Sequence, residues 1–378
     1  MTVKSVVSGI CLGVMAITGL ASGATYQEIV IADGSYQQRR PKVSNNIVVW
    51  QVRQSDWDIK GACVTADKIV SFNVSADTYV DERNPSIDGT VVVFEWESPL
   101  GDAIMGVDLN LEALYQSKDF LIAQTYPYTD NYPVVSEKGR VLWQERIDSQ
   151  WDIILSDISN RKKILVGNIG ISYLDEKMPS ISGYTAVWEL TFLGDTDVIG
   201  VDLTDLYKIR DFNVAMTTGH ETSPAVSGKW SVWLKQSVLW GDNLYDPFDK
   251  ESLSSSDAKL ETPALCQNVV VWSDSRGSYK NLWGYNLSTG QEFQITDSTD
   301  DDVNPSISYS KELNGYLVVW ERVRNSNSDI VGVVLNGPEV QGCASPLQWD
   351  VNSDAVVDAN DVNEVQSHVG ETNGIQPQ

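Results

Sequence analysis

Short β-branched runs ending in an aromatic residue recur along the chain. PKVSNNIVVW, PSIDGTVVVF, PVVSEKGRVLW, PSISGYTAVW, PAVSGKWSVW, PALCQNVVVW and PSISYSKELNGYLVVW each open on a proline: Pro41, Pro85, Pro133, Pro179, Pro224, Pro263 and Pro305. The gaps between these prolines run from 39 to 48 residues. A polar turn follows each aromatic, then a second apolar phrase: DIKGACV, AIMGVDL, DIILSDI, DVIGVDL, NLWGYNL and DIVGVVL, with a weaker NLYDPF in the fifth unit. KIVSFNV, DFLIA, KKILV, DFNVA and EFQIT close most units. The runs are apolar on both alternations, as in Ile47-Val48-Val49-Trp50, which predicts strands covered on both faces. The first strand of each unit is expected to start at its proline, where a missing N–H is tolerable. Four short strands per unit, repeated seven times at this period, predict an all-β, seven-bladed propeller of four-stranded blades.

The two ends of the repeat complement each other. The seventh unit stops after DIVGVVL and lacks a fourth strand, while the chain carries QEIVIADG ahead of the first unit. That segment is similar to QEFQITDS at 291–298, so the N-terminal strand is expected to complete blade seven and remove an exposed sheet edge.

Over residues 25–336 these phrases resemble the TolB-like propeller repeats, a WD40-like group of bacterial proteins. The resemblance implies a periplasmic or cell-surface setting and a fold that hosts binding proteins, scaffolds and non-catalytic domains of peptidases. Most copies here read PSIS or PxVS, where the family pattern is PxWSPDG.

The 378 residues divide into an expected signal peptide (1–24), a propeller (25–340) and a tail (341–378). Lys4, the apolar stretch from Val6 to Leu20 and Ser22-Gly23-Ala24 supply the three parts of a secretory signal. No later run is long and apolar enough for a stable membrane span. Secretion to the exterior, the cell surface or the periplasm is therefore expected. A formal net charge of −25 argues against nucleic acid, which needs positive charge to displace counterions, and is compatible with divalent cations. Cys63, Cys266 and Cys343 remain after cleavage, too few and too widely spaced for a disulfide-built fold. A monomer is expected.

Among the repeated residues, one aromatic per unit (Trp50, Phe94, Trp143, Trp188, Trp233, Trp272, Trp320) reads as packing between blades rather than sugar stacking. Gly61, Gly106, Gly200, Gly284 and Gly332 read as seats for a large neighbouring side chain. Asp58, Asp152, Asp197 and Asp329 read as turn residues accepting backbone N–H bonds. No catalytic residue is assigned. His220 and His368 are the only histidines, no GxSxG elbow occurs, and nothing selects a carboxylate pair. The segments before the prolines carry SYQQRR, TYVDER, TYPYTDNY and SYLDEK, a recognition-type mixture of tyrosine and charge. Arg39, Arg83, Tyr128 and Lys177 are the candidate ligand-binding residues, expected near the channel mouth.

The tail contains DVNSDAVVDAND. Asp350, Asn352, Asp354, Asp358 and Asp361 stand at loop positions one, three, five, nine and twelve, and the carbonyl of Val356 falls at position seven. All are hard oxygen ligands, which favours Ca2+. Val362, Val365 and Val369 then share one face of a short helix. The segment resembles a single dockerin type I repeat, an EF-hand-like calcium loop whose relatives bind a cohesin partner. Ala355 replaces the family's glycine, which predicts weak affinity, with Kd on the order of 10−4 M.

Three readings fit the chain: a non-enzymatic binding protein for a polysaccharide or an extracellular protein, a carbohydrate-active hydrolase or lyase, and a pure scaffold.

Overall fold

The computed structural model describes residues 26–75, 77, 79–99, 101–109, 119–125, 131–159, 164–171, 173–254, 260–325, 327–336 and 340. Within them lie seven antiparallel four-stranded sheets, the blades of a propeller. In blade one the strands are Gln37–Ser44, Ile47–Arg53, Trp57–Val64 and Ile69–Ser75. The first strands of the later blades are Asp81–Asp88, Val134–Val135, Asp175–Ser182, Glu221–Ser227, Leu260–Cys266 and Asp301–Ser310. Each first strand contacts that of the next blade all the way round, and blade seven meets blade one, so the first strands surround the axis.

The ring closes as expected. Ile29–Ala32 pairs antiparallel with Asn327–Leu335, Ile29 opposite Gly332, as the fourth strand of blade seven. Arg322 locks this strand in place. Its guanidinium donates to both Glu28 oxygens at 2.6 and 2.8 Å and to Asp302 at 2.7 and 2.9 Å. Such forked pairing with carboxylates holds geometry as well as charge.

The aromatics of the second strands are core. Trp50, Phe94, Trp143, Trp188, Trp233, Trp272 and Trp320 are all at most 2% exposed. Each sits in an apolar cluster, most of which join residues of two adjacent blades. Their indole N–H groups need acceptors in this dry setting. Trp50 donates to Gln38 at 3.0 Å and Trp188 to Glu176 at 3.1 Å, each acceptor three residues before its proline. Blade six has Leu260 at that position, and Trp272 donates to Asp274 instead. The strand-three glycines are also as expected. A Cβ on Gly61, Gly106 or Gly284 would stand 2.5 Å from the ring of Phe72, Phe120 or Phe293.

Three details correct the sequence reading. The first strands mostly start about four residues before the proline, which sits inside the strand at a bulge, as between Arg39 and Lys42. The residue before each proline has φ between 46 and 54°, and this kink absorbs the missing proline donor. In blade five NLYDPF straddles a turn. Its third strand is Val238–Asn243, where Gly241 seats Leu253 rather than a phenylalanine. Asp58, Asp152, Asp197 and Asp329 lie inside the third strands, and desolvation raises all four pKa values, Asp197 to about 6. The turn-capping role belongs to Asp81, Asp175 and Asp301, which accept the amides of Trp57, Trp151 and Lys280 from the preceding blade.

Cys63 and Cys266, on blades one and six, form no disulfide with one another. Among the described residues no helix is long and apolar enough to cross a membrane.

Candidate recognition face

Antiparallel blades place the turns between strands two and three, and the links from strand four to the next blade, at one end of the ring. The halves of the first strands that precede the prolines also point to this end. Their backbones are held by a repeated seam. The residue after each core aromatic accepts the pre-proline amide of the next blade. Gln51 takes Asn84 N at 2.9 Å, Glu95 takes Tyr132 N at 2.7 Å, Gln144 takes Met178 N at 2.8 Å and Glu189 takes Ser223 N at 2.8 Å. Glu321 closes the series on Arg40 N at 3.4 Å. Leu234 and Ser273 interrupt it in blades five and six.

Upon this common backbone the side chains differ from blade to blade: Arg40, Asn84, Tyr132, Met178, Ser223, Thr262 and Asn304. Arg40 extends furthest. Its guanidinium donates to Asn84 Oδ1 of blade two and, at 3.4 Å, to the Tyr132 hydroxyl of blade three, and lies 5.0 Å from the centre of the Tyr132 ring. Glu95 braces both partners by also accepting Asn84 Nδ2 at 2.8 Å.

Of the residues expected from sequence, Arg39, Arg83 and Lys177 occupy one equivalent position, two before the proline, on the first strands of blades one, two and four. Each is engaged within the fold. Arg39 lies 3.8 Å from Glu321 and over the Trp57 ring, Arg83 pairs with Asp81 and Glu97, and Lys177 lies over the Trp151 ring. Arg39 and Lys177 each meet only an adjoining blade, through Glu321 and Trp151, whereas the neighbouring Arg40 reaches two blades on, to Tyr132 of blade three. The proline bulge sets this phase, and the count of residues alone does not reveal it. Tyr128 and the expected calcium ligands Asp350, Asn352, Asp354, Val356, Asp358 and Asp361 lie outside the described residues.

The same end gathers most of the large apolar side chains that water reaches, among the described residues. Tyr36, Tyr79, Tyr173 and Met216 lie on links into a first strand, Met178 on a first strand, and Phe192, Leu193 and Tyr279 at turns between strands two and three. Leu193 is 90% exposed and has φ 51° in a tight turn with Gly194, a place that favours asparagine or aspartate.

Between blades one and two a groove of about 600 Å3 opens on this end, lined by Ser55, Asp56, Tyr79, Asp81, Glu97 and Asp102 among others. Desolvation lifts the Glu97 pKa to about 7 against the pull of Arg83, and it also raises Asp102. Among the described residues no cluster of three or more metal-ligating side chains occurs.

No family model and no curated protein matches the chain. Solved structures do, at low identity. A prolyl endopeptidase structure is similar at 12% identity and a TM-score of 0.52, over 80% of this chain and 50% of that one. The β-propeller domain of the Trilobed protease from Pyrococcus furiosus is similar at 9% identity and a TM-score of 0.57, over 79% of this chain and 95% of that domain. TolB from Acinetobacter baumannii is similar at 12% identity and a TM-score of 0.46, over 72% of this chain and 65% of that one. The chain thus spans about half the length of the endopeptidase and nearly all of the isolated propeller. The Pyrococcus domain has an open velcro topology, whereas here Ile29–Ala32 closes the last blade. The shared property is the propeller fold.

Proposed function

We propose that the protein is a secreted or periplasmic binding module whose pre-proline end is a recognition face for a polysaccharide or a protein. The observation that carries this reading is the exposed apolar pair at the tip of blade four. Phe192 and Leu193 stand in water where turn chemistry asks for a polar residue, and a left-handed leucine costs conformational energy as well. Tyr173 and Met178 of the same blade extend the patch. In this reading the tail is a single dockerin-like loop in which Asp350, Asn352, Asp354, the Val356 carbonyl, Asp358 and Asp361 hold Ca2+ and tether or order the C-terminus, with a cohesin-like domain as its partner.

The test is a polysaccharide and protein array probed with the full chain and with a Phe192→Ser/Leu193→Asn variant, followed by product analysis of every hit. Binding that needs the pair and releases no product is the expected result. Binding unchanged in the variant overturns it. Calorimetry of the full chain against its Asp350→Ala variant in millimolar calcium tests the tail, and equal heats would remove the calcium assignment.

The acidic groove favours a second reading. Glu97 can hold a proton near neutral pH while facing a groove lined by further carboxylates, which is the division of labour that glycoside cleavage needs. Released sugars that disappear in Glu97→Gln would replace binding by hydrolysis.

A further inference from the structure

We infer that the axis of the ring holds an oxyanion site formed by Lys42 and Arg40 of blade one, which would receive a carboxylate or phosphate group of the ligand bound at the recognition face.

The position one residue after the proline is occupied around the ring by Lys42, Ser86, Val134, Ser180, Ala225, Ala264 and Ser306. The first strands converge there, and six of the seven side chains are small. In two blades this residue serves the fold. Ser180 accepts Val226 N and Ser306 accepts Val43 N, each 3.2 Å away on the next blade. Lys42 cannot accept an N–H and is the one long, charged side chain in the set. It alternates with Pro41 and Val43, which are buried, so it projects away from the blade core.

Lys42 forms no hydrogen bond and no ion pair with the described residues. Water reaches it, yet the surrounding strands desolvate the ammonium, and Arg40 adds like-charge repulsion, so its pKa is lowered. Arg40 also has no ion pair among the described residues. Its side-chain partners Asn84 and Tyr132 are neutral, and the Glu95 and Glu321 carboxylates lie behind Asn84 and on the Arg40 amide rather than on the guanidinium. Lys42 and Arg40, two residues apart and neither paired with a carboxylate among the described residues, repel one another, and a bound anion would relieve that repulsion. Asn84, Tyr132 and the bracing Glu95 fix the guanidinium in advance, which is how a recognition site reduces the entropy cost of binding. An ammonium beside a guanidinium suits one compact oxyanion presented end-on.

This inference rests on the recognition-face reading, and its test separates the two. The full chain is reductively methylated with 13C-formaldehyde, and the Lys42 resonance is identified by its loss in Lys42→Arg. Sodium phosphate, glucuronate and N-acetylglycine are then titrated, at constant ionic strength set by chloride, up to about 0.1 M, a ceiling that captures millimolar affinities. A saturable shift of Lys42, absent at Lys68 and Lys208, is expected with at least one probe. Arg40→Gln should weaken that probe tenfold or more. The tightest of the three identifies phosphate, sugar acid or peptide carboxylate as the source. No saturable shift with any probe, or the same affinity in a folded Arg40→Gln, overturns the site. Calorimetry with the tightest probe on wild type and Lys42→Met provides a second check, since loss of the binding heat in the variant is expected and its retention refutes the site. In Phe192→Ser/Leu193→Asn the shift should persist, so failure of the apolar face and failure of the anion site are read independently.

Discussion

Each first strand has two halves, one on either side of its proline, and they follow different rules. On the downstream side the side chains repeat. The residue three after the proline accepts an amide four after the proline in the next blade: Ser44 from Gly89 at 2.9 Å, Ser182 from Gly228 at 3.2 Å, Ser227 from Gln267 at 2.8 Å and Ser308 from Asn45 at 2.8 Å. Asp88 takes the serine's place in blade two and accepts Glu137 N at 2.9 Å. On the upstream side the backbone repeats and the side chains do not. Arginine, asparagine, tyrosine, methionine, serine and threonine stand at equivalent points, all with left-handed φ. Uniform chemistry on a uniform backbone maintains a seam. Varied chemistry on an equally uniform, kinked backbone is compatible with the proposed recognition surface, since the kink serves the proline and leaves the side chain before it free to differ.

The largest expected effect sets a seam residue against a face residue of the same blade. Trp188→Ala should destabilise by about 3 to 5 kcal/mol, the usual range for a buried large aromatic. Leu193→Ala should stay within about 0.5 kcal/mol, the norm for an exposed site. Comparable losses in chemical denaturation would erase the distinction between the two sides.

Next comes pH. Glu82 is fully buried, its Oε1 accepts Ser75 Oγ and Asp77 N at 3.0 Å each, and its Oε2 has no donor. Desolvation pushes its pKa up to about 7 from the ordinary 4.5. The folded state therefore favours the neutral acid. The stabilisation this brings is complete below the ordinary value and is lost as pH rises from there through 7. Glu82→Gln should remove that loss, so at pH 8 the variant should exceed the wild type by on the order of 2 kcal/mol. At pH 4 the advantage should vanish. Melting curves at the two pH values decide, and a variant less stable than wild type at pH 8 would show that Glu82 is folded as a carboxylate.

Much of the seam was legible in sequence because it depends on residue type at fixed spacing. The aromatics, the strand-three glycines and the closing strand announce themselves through repetition. The amide acceptors Gln51, Glu95, Gln144, Glu189 and Glu321 were equally visible, each directly after its core aromatic. Their meaning lies across a blade boundary, where local pattern has no reach. Blade five escaped because Leu253 stands where blades one, two, four and six have a phenylalanine against the strand-three glycine, which let NLYDPF pass for a strand. The face was legible only in outline. Choosing Arg40 over Arg39 requires the bulge at Pro41, because one extra residue reverses which side chain leaves the blade and which lies against it.

A single seam hydrogen bond comes third in size. Ser227→Ala deprives Gln267 N of its acceptor and should cost about 1 kcal/mol, whereas Ser55→Ala in the acidic groove should cost nothing measurable. If Ser227→Ala is also neutral, water replaces the hydroxyl, and the serines do not stitch the blades together.

The smallest effect bears on the strain itself. Ser223 has φ 53° and precedes Pro224. Its amide is held by Glu189 at 2.8 Å, and no side-chain hydrogen bond fixes its hydroxyl among the described contacts. Glycine reaches this conformation without the Cβ clash that a left-handed L-residue suffers. Ser223→Gly should therefore relieve strain in the folded state. Glycine also gains more freedom in the unfolded chain, and this opposes the benefit. The balance should be a stabilisation below about 1 kcal/mol, or a Tm rise of about 2 to 4 °C at most for a chain of this size. Ser227→Gly, on the regular half of the same strand and measured against Ser227→Ala, which loses the same bond from Gln267 N, should show only the unfolded-state cost and fall in Tm. The sign of the difference between the two glycine variants is the test. Equal losses would mean that the kink before the proline carries no strain, and that the varied residues there are tolerated by the fold rather than retained against it.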